Sequence, residues 1–163
     1  MLEPLSKLVE ESAQQAIVQN KAIPDQFNNA AIKEVTNQIF SSLKGQVSQG
    51  NMQQVIAMFQ AGASAKMSTN PVISTIISSV TASLQSKFGI APDVAQSVAN
   101  GLVPQVISQV IKKSNDPQNI EFDLQHMMRG MTGDSSLDIS GMLGQPKGTL
   151  GTIGNVFGKL FGK

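Results

Sequence analysis

The sequence contains no cysteine, and this absence removes several kinds of site at once. Disulfides, thiolate nucleophiles and cysteine-ligated zinc or iron–sulfur centres all require the thiol group. A chain of 163 residues can bury roughly two-thirds of its unfolded surface, so its core needs neither a crosslink nor a metal. Because the lack of cysteine fits a reducing compartment, we expect a cytoplasmic protein.

Charged side chains are also scarce, at 14% of residues with a formal net charge of +1. Weakly charged helices repel one another little, which favours self-association or docking onto another protein. The same composition argues against a protein whose main task is to bind polyanions.

Long uninterrupted apolar runs are missing as well. The opening sequence MLEPLSKLVEES carries glutamates where a signal peptide has a basic region followed by an apolar run. Ser, Gln and Asn interrupt the most apolar stretches, so none supplies the ~20 apolar residues that a membrane span needs. The sequence therefore predicts neither an export signal nor a transmembrane helix.

What the sequence does contain is helical periodicity, with apolar residues at three- and four-residue steps. The clearest pair of helices lies between Asn70 and Lys113. We expect Asn70 to cap the first of them, Pro71 to occupy its first position and Gly89 to end it. The second helix begins at Pro92, and the width of its apolar face predicts a central position in the fold.

A proline lies inside this central helix. The ring of Pro104 meets the carbonyl of Asn100, and its nitrogen donates no hydrogen bond. With Gly101 nearby, we expect a kink or a break between Asn100 and Pro104. A bend that wraps the helix around the core is favoured over a functional hinge, and Leu102 and Ile107 should be fully buried on either side.

Four further helices complete the prediction. Three precede the central pair, and their expected limits are Glu3 to Asn20, Phe27 to Lys44 with Gly50 closing the turn, and a short helix that Asn51 caps and that ends before Gly62. The fourth follows the turn NDPQN, and its apolar stripe comprises Ile120, Phe122, Leu124, Met127, Met128 and Met131. The sequence thus predicts an all-α fold, a single bundle of about six helices with a kinked central helix and a glycine-rich tail.

The composition changes after the last predicted helix, since more than half of the 14 glycines lie in residues 132–163. We expect a helical domain over residues 1–131 and a flexible glycine-rich tail over residues 132–163. The part from Thr132 to Gly148 should be irregular and mobile.

The tail ends in an amphipathic segment, residues 149–163. Wound as a helix, this segment has a stripe of glycines, a polar side with Lys159 and Lys163, and an apolar arc of Leu150, Ile153, Val156, Phe157, Leu160 and Phe161. Each glycine costs about 1 kcal/mol of helix stability relative to alanine, so any order is expected to come from docking. A protein groove, in this chain or in a neighbour, is favoured over an anionic membrane, because two lysines supply only ~2 kcal/mol of attraction to lipid. A tail without a role is the remaining alternative.

The methionines offer a second candidate surface for a partner, because methionine side chains repack easily. Packing in the core is the alternative, since they continue the apolar stripe of Phe122 and Leu124. The candidate partner-binding residues are therefore Ile153, Val156, Phe157, Leu160, Phe161, Met127 and Met128.

Catalytic and metal-binding patterns do not emerge. His126 is the sole histidine, and Asp123 precedes it by one helical turn, so a carboxylate could orient the imidazole. However, no GxSxG turn marks a serine nucleophile, and no EF-hand or HExxH spacing marks a metal site. We predict a protein that is not an enzyme, uses no cofactor and binds no small molecule, with His126 exposed on a helix.

A helix-turn-helix interpretation rests on the short connection at residues 88–91. The second helix would present Asp93, Gln96, Ser97 and Asn100 to DNA. It has no lysine or arginine at its start and begins with an acid, which opposes phosphate binding. Protein association is the leading expectation, with nucleic-acid binding and membrane-surface association through the tail as alternatives.

The sequence LVPQVISQVI, followed after a turn by FDLQHMMRGM and a glycine-rich end, resembles the bacterial YidB-like family of unknown function. The residues that carry the resemblance are Leu102, Val103, Pro104, Ile107, Gln109, Asp123, Leu124 and Gly130. The resemblance implies a small all-helical fold, likened to homeodomains, in a bacterial cytoplasmic protein. It covers the second half of the chain and implies no catalytic residues, while the first half departs from the family pattern.

Overall fold

The computed structural model describes residues 2–62 and 67–139 of the chain. These ranges contain six α-helices, which are α1 (Leu2–Ala13), α2 (Asn28–Gln46), α3 (Met52–Ala61), α4 (Pro71–Phe88), α5 (Pro92–Ser114) and α6 (Leu124–Thr132). Short π-helical turns follow α1 and join α2 to α3, and single 3-10 turns precede α2, α4 and α6. The predicted all-α bundle is confirmed.

The helix α5 lies at the centre of the bundle, as the width of its apolar face predicts. It packs against α4 along one side and against α1 along another, while α2 covers both α1 and α4. Leu102 and Ile107 are completely buried in this core. Because apolar burial contributes about 25 cal/mol per Å², the wide face of α5 supplies much of the driving force that joins the helices.

The proline in α5 does not interrupt the helix, which continues through Pro104 to Ser114. Of the two predicted alternatives, the break is therefore wrong, while the kink stays a prediction. Asn100 and Gly101 are exposed, so water can hydrogen-bond the Asn100 carbonyl that lacks an amide donor at Pro104. Burial of Leu102, Val103, Val106 and Ile107 around the proline offsets its cost of about 3 kcal/mol.

The signals predicted at the ends of α4 are confirmed, but the predicted cap of α3 is not. Oδ1 of Asn70 accepts a hydrogen bond of 2.9 Å from the amide of Val72, and Gly89 ends the helix at φ 63°. Asn51 caps nothing, because its side chain donates to Gln46 across the π-helical turn that leads directly from α2 into α3. Gly50, at φ 90°, provides the bend there.

The last part of the described chain differs from the prediction in two respects. Ile120–Phe122 form a separate 3-10 turn, and α6 begins only at Leu124, with Asp123 as its cap. The packed body also reaches beyond the expected limit at residue 131, because Ile139 is buried and Nε of Arg129 donates to the Leu137 carbonyl at 2.7 Å. Within the described ranges, no helix combines the length and apolar character that crossing a membrane requires.

Candidate functional site

A concave surface lies beside the C-terminal end of α3. The second wall of this groove is the connection from α5 to α6, and its volume is about 980 Å³. Its apolar lining consists of Ala57, Phe59, Ala61, Pro117, Ile120 and Leu124. We call this surface the α3 groove. Its walls come from segments far apart in sequence, so the fold is required to assemble it.

A smaller concavity of about 270 Å³ lies along the other side of α3. Met58, Met67 and Pro71 line it, and it shares Ala57 and Ala61 with the α3 groove. These two alanines lie one helical turn apart, and both are exposed. Two methyl groups therefore separate the concavities, and a covering helix could approach the α3 backbone closely.

Ile120 stands at the edge of the α3 groove with 75% of its surface exposed, an unusual state for a large apolar side chain. The 3-10 turn explains the exposure. At three residues per turn, Ile120 and Phe122 point in different directions, and Phe122 is the one buried. Since burying an isoleucine side chain contributes about 1.5–3 kcal/mol, a partner that covers Ile120 would gain a substantial part of its binding energy there.

The polar part of the α3 groove is acidic. Asp116 and Asp123 line it, and both are exposed. Asp116 holds the turn after α5, accepting hydrogen bonds from the Gln118 amide and from Nδ2 of Asn119 at 3.0 and 2.7 Å. The C-terminal ends of α3 and α5 border the groove with partial negative charge, and the N-terminal end of α6, with partial positive charge, is capped there by Asp123. The site therefore favours an apolar ligand with basic groups at its margin.

Two of the seven candidate partner-binding residues predicted from the sequence, Met127 and Met128, lie within the described part of the chain. Met127 and Met128 are completely buried in the core, so neither is available to a partner at this surface. Both methionines instead belong to the hydrophobic core, which is the alternative expected from the sequence, because α6 directs their side chains toward the rest of the bundle. The remaining five, Ile153, Val156, Phe157, Leu160 and Phe161, lie outside the described residues.

The other polar residues singled out from the sequence are not assembled into a reactive group. His126 is exposed, as predicted, but Asp123 accepts a hydrogen bond from its backbone amide at 3.1 Å and thereby caps α6. Asp93, Gln96, Ser97 and Asn100 are exposed along α5, as the helix-turn-helix interpretation requires. Residues 2–62 and 67–139 contain no group of three or more histidines, cysteines or carboxylates arranged to hold a metal.

A buried polar cluster between α2 and α4 is the feature that the sequence interpretation missed. Glu34 accepts hydrogen bonds from the Ser83 hydroxyl, from Nζ of Lys87 at 2.7 Å and from Nε2 of Gln38 at 2.8 Å. Burial raises the pKa of the Glu34 carboxyl, but these three donors outweigh burial and hold the pKa below its ordinary value of 4.5. The cluster borders neither concavity, so we interpret it as a clamp between helices.

The residues of the α3 groove were also missed, although the sequence held a signal for two of them. Ala57 and Ala61 have the four-residue spacing of one helix face, opposite the apolar residues that were expected to face inward. No pattern in the sequence distinguished Ile120 from its buried neighbours, because its exposure depends on the 3-10 turn.

No protein-family model matches the chain, and no curated protein or solved structure matches it either. The relationship to the YidB-like family therefore stays a prediction from the residues that carry the resemblance.

Proposed function

We propose that this protein is a non-catalytic association protein that binds an apolar segment of another polypeptide in the α3 groove. The observation that carries the proposal is the combination of an apolar groove with Ile120 exposed at its edge. A concave surface with an apolar lining and a large apolar side chain exposed at its edge is a candidate interaction site. The scarcity of charge, at 14% of residues, supports the same function because it lowers the repulsion between approaching chains.

The geometry of α3 favours a helical ligand. Ala57 and Ala61 leave the helix backbone close to the surface, and the concavities on either side would accept larger side chains from a helix lying between them. This is the mode in which an amphipathic helix places its apolar face into a groove. We also propose a bacterial cytoplasmic setting, supported by the absence of cysteine and by the YidB-like sequence features.

Light scattering over a hundredfold range of protein concentration, combined with a DNA titration at low and moderate salt, tests the class of function. A second copy of the chain is the partner available in a purified sample, so we expect the weight-average mass to rise with concentration. DNA binding should be weak at either salt concentration, because α5 presents Asp93 at its start and no basic residue beside it. A strictly monomeric protein that binds DNA with steep salt dependence would instead establish the nucleic-acid alternative.

A further inference from the structure

We propose that the chain's own segment from Thr149 to Lys163 occupies the α3 groove in cis, so that a partner must displace it. This inference rests on the proposed function, because it names the segment that the docking surface receives. Three independent features support it, namely the reach of the intervening chain, the distribution of charge and the match between the two surfaces.

The intervening chain is long enough to bring the segment to the groove. Arg129 holds the Leu137 carbonyl beside α6, and Leu124, at the start of α6, lines the groove. The nine residues of α6 extend over about 13 Å. The ten residues from Ser140 to Thr149 can span about 33 Å, more than twice the length of that helix.

The net charge differs in sign between residues 1–139 and residues 140–163. All 11 acidic residues precede Ser140, whereas three of the 12 basic residues, Lys147, Lys159 and Lys163, follow it. Nine basic against 11 acidic residues give residues 1–139 a formal charge of −2, and residues 140–163 carry +3. Asp116 and Asp123 line the groove itself, so the segment brings its lysines to an acidic margin.

The two surfaces also match in the size of their side chains. Ala57 and Ala61 form a small-residue ridge on α3, while Gly154 and Gly158 have the same four-residue spacing in the segment. Facing small residues would let the two backbones approach closely. Phe157 and Phe161 would then lie beside the ridge, where the concavities and Ile120 provide apolar contacts.

Attachment through a short connection favours occupancy within one chain. Such a connection gives an effective concentration on the order of millimolar, so even a weak contact is substantially formed in cis. A second chain displaces this tethered segment only when its own concentration approaches the same value, so association of the wild type should appear at the upper end of the light-scattering range. The segment thus lowers the apparent affinity of the α3 groove for any partner.

A spin-label experiment on the full chain tests this inference directly, and the absence of native cysteine makes a single labelling site simple to introduce. A nitroxide is attached through Asn155→Cys, a position that falls opposite the apolar arc when the sequence of the segment is drawn as a helix. In one sample, ¹⁵N-labelled spin-labelled chain is diluted into excess unlabelled wild-type chain. In the other, ¹⁵N-labelled wild-type chain is mixed with spin-labelled chain that lacks ¹⁵N.

We expect the diluted sample to show at least twofold stronger broadening at the amides of Ala57, Ala61 and Ile120 than at Ser97. The change Phe157→Asp should reduce this difference to nearly zero, whereas Thr152→Asp, which adds the same charge outside the apolar arc, should preserve most of it. Broadening only in the mixed sample would overturn the cis assignment in favour of a second copy and leave the proposed function intact. Unbroadened groove signals in both samples would also overturn it, and co-sedimentation of the protein with phosphatidylglycerol vesicles would then assign the segment to a membrane surface.

Discussion

Nζ of Lys87 lies 2.7 Å from Oε2 of Glu34, and this ion pair joins α4 to α2 across the bundle. Glu34 is nearly buried, with 10% of its side chain exposed, whereas 56% of the Lys87 side chain remains exposed. The lysine can therefore be solvated without its partner, but the carboxylate cannot. Gln38 and Ser83 complete the coordination of the carboxylate, each one helical turn from a member of the pair.

Removing the lysine should therefore destabilise the fold. We expect Lys87→Met to lower the free energy of unfolding by about 1–2 kcal/mol, since a charged hydrogen bond is lost but the exposed half of the pair is screened. Lys112→Met, at an exposed position of α5, is the matched control and should change stability by less than about 0.5 kcal/mol. Urea denaturation of both variants measures the difference, and equal midpoints would show that the ion pair contributes nothing.

The same carboxylate should make stability depend on pH. Because its pKa is lower in the folded protein than the ordinary value of 4.5, the folded state binds a proton less readily than the unfolded state. The stabilisation is present above pH 4.5 and is lost as the pH falls through the folded pKa. Glu34→Gln should therefore show a shallower loss of unfolding free energy below pH 4.5 than the wild type. Parallel profiles for the two proteins would exclude this role.

The central helix provides the third prediction. Leu102 and Ile107 are fully buried on either side of Pro104, so truncating either to alanine should cost about 2–5 kcal/mol through lost burial and cavity formation. Asn100→Ala, at an exposed position of the same helix, is the control. Thermal or urea unfolding measures the loss of stability. Unchanged midpoints for both core variants would contradict the central position of α5 in the core.

Asn70 and Asn51 were both predicted from the sequence to cap helices, so alanine substitutions at the two positions can be compared. Asn70→Ala should cost about 0.5–2 kcal/mol, because its side chain accepts the amide hydrogen of Val72. Asn51→Ala should cost less, because that side chain bonds to the half-buried Gln46 side chain instead of an amide of α3. A larger loss of unfolding free energy for Asn51→Ala would reverse this assignment of the caps.

The two asparagines also show how far the sequence predicts the structure. Local signals were sufficient where one residue type satisfies one backbone requirement, as Asn70 and Gly89 do at the ends of α4. They were only partly sufficient between α2 and α3, where Gly50 separates the helices at φ 90° as expected but the Asn51 side chain bonds to Gln46 instead of capping α3. They failed at Pro104, where α5 continues because buried neighbours on both sides compensate for the missing hydrogen bond.

The candidate site was less predictable than the helices. Periodicity correctly directs Leu124 and Phe122 inward, but it includes Ile120 in the same stripe, whereas the 3-10 turn points Ile120 outward. The α3 groove itself joins α3 to the α5–α6 connection, and no local pattern reports contacts between segments so far apart in sequence. The buried cluster around Glu34 was missed for the same reason, since Ser83 and Lys87 reach the carboxylate from a different helix.

The most direct measurement of the central claim is the effect of Ile120→Asp on association. The substitution adds a charge at the 75% exposed position beside the α3 groove, so the fold should tolerate it. Ser97→Asp adds the same charge on the exposed surface of α5, about 25 Å along the helix from Ser114. We predict that light scattering across the same concentration range finds the Ile120→Asp protein monomeric while Ser97→Asp associates as the wild type does. Equal association by all three proteins would show that the α3 groove is not the docking site.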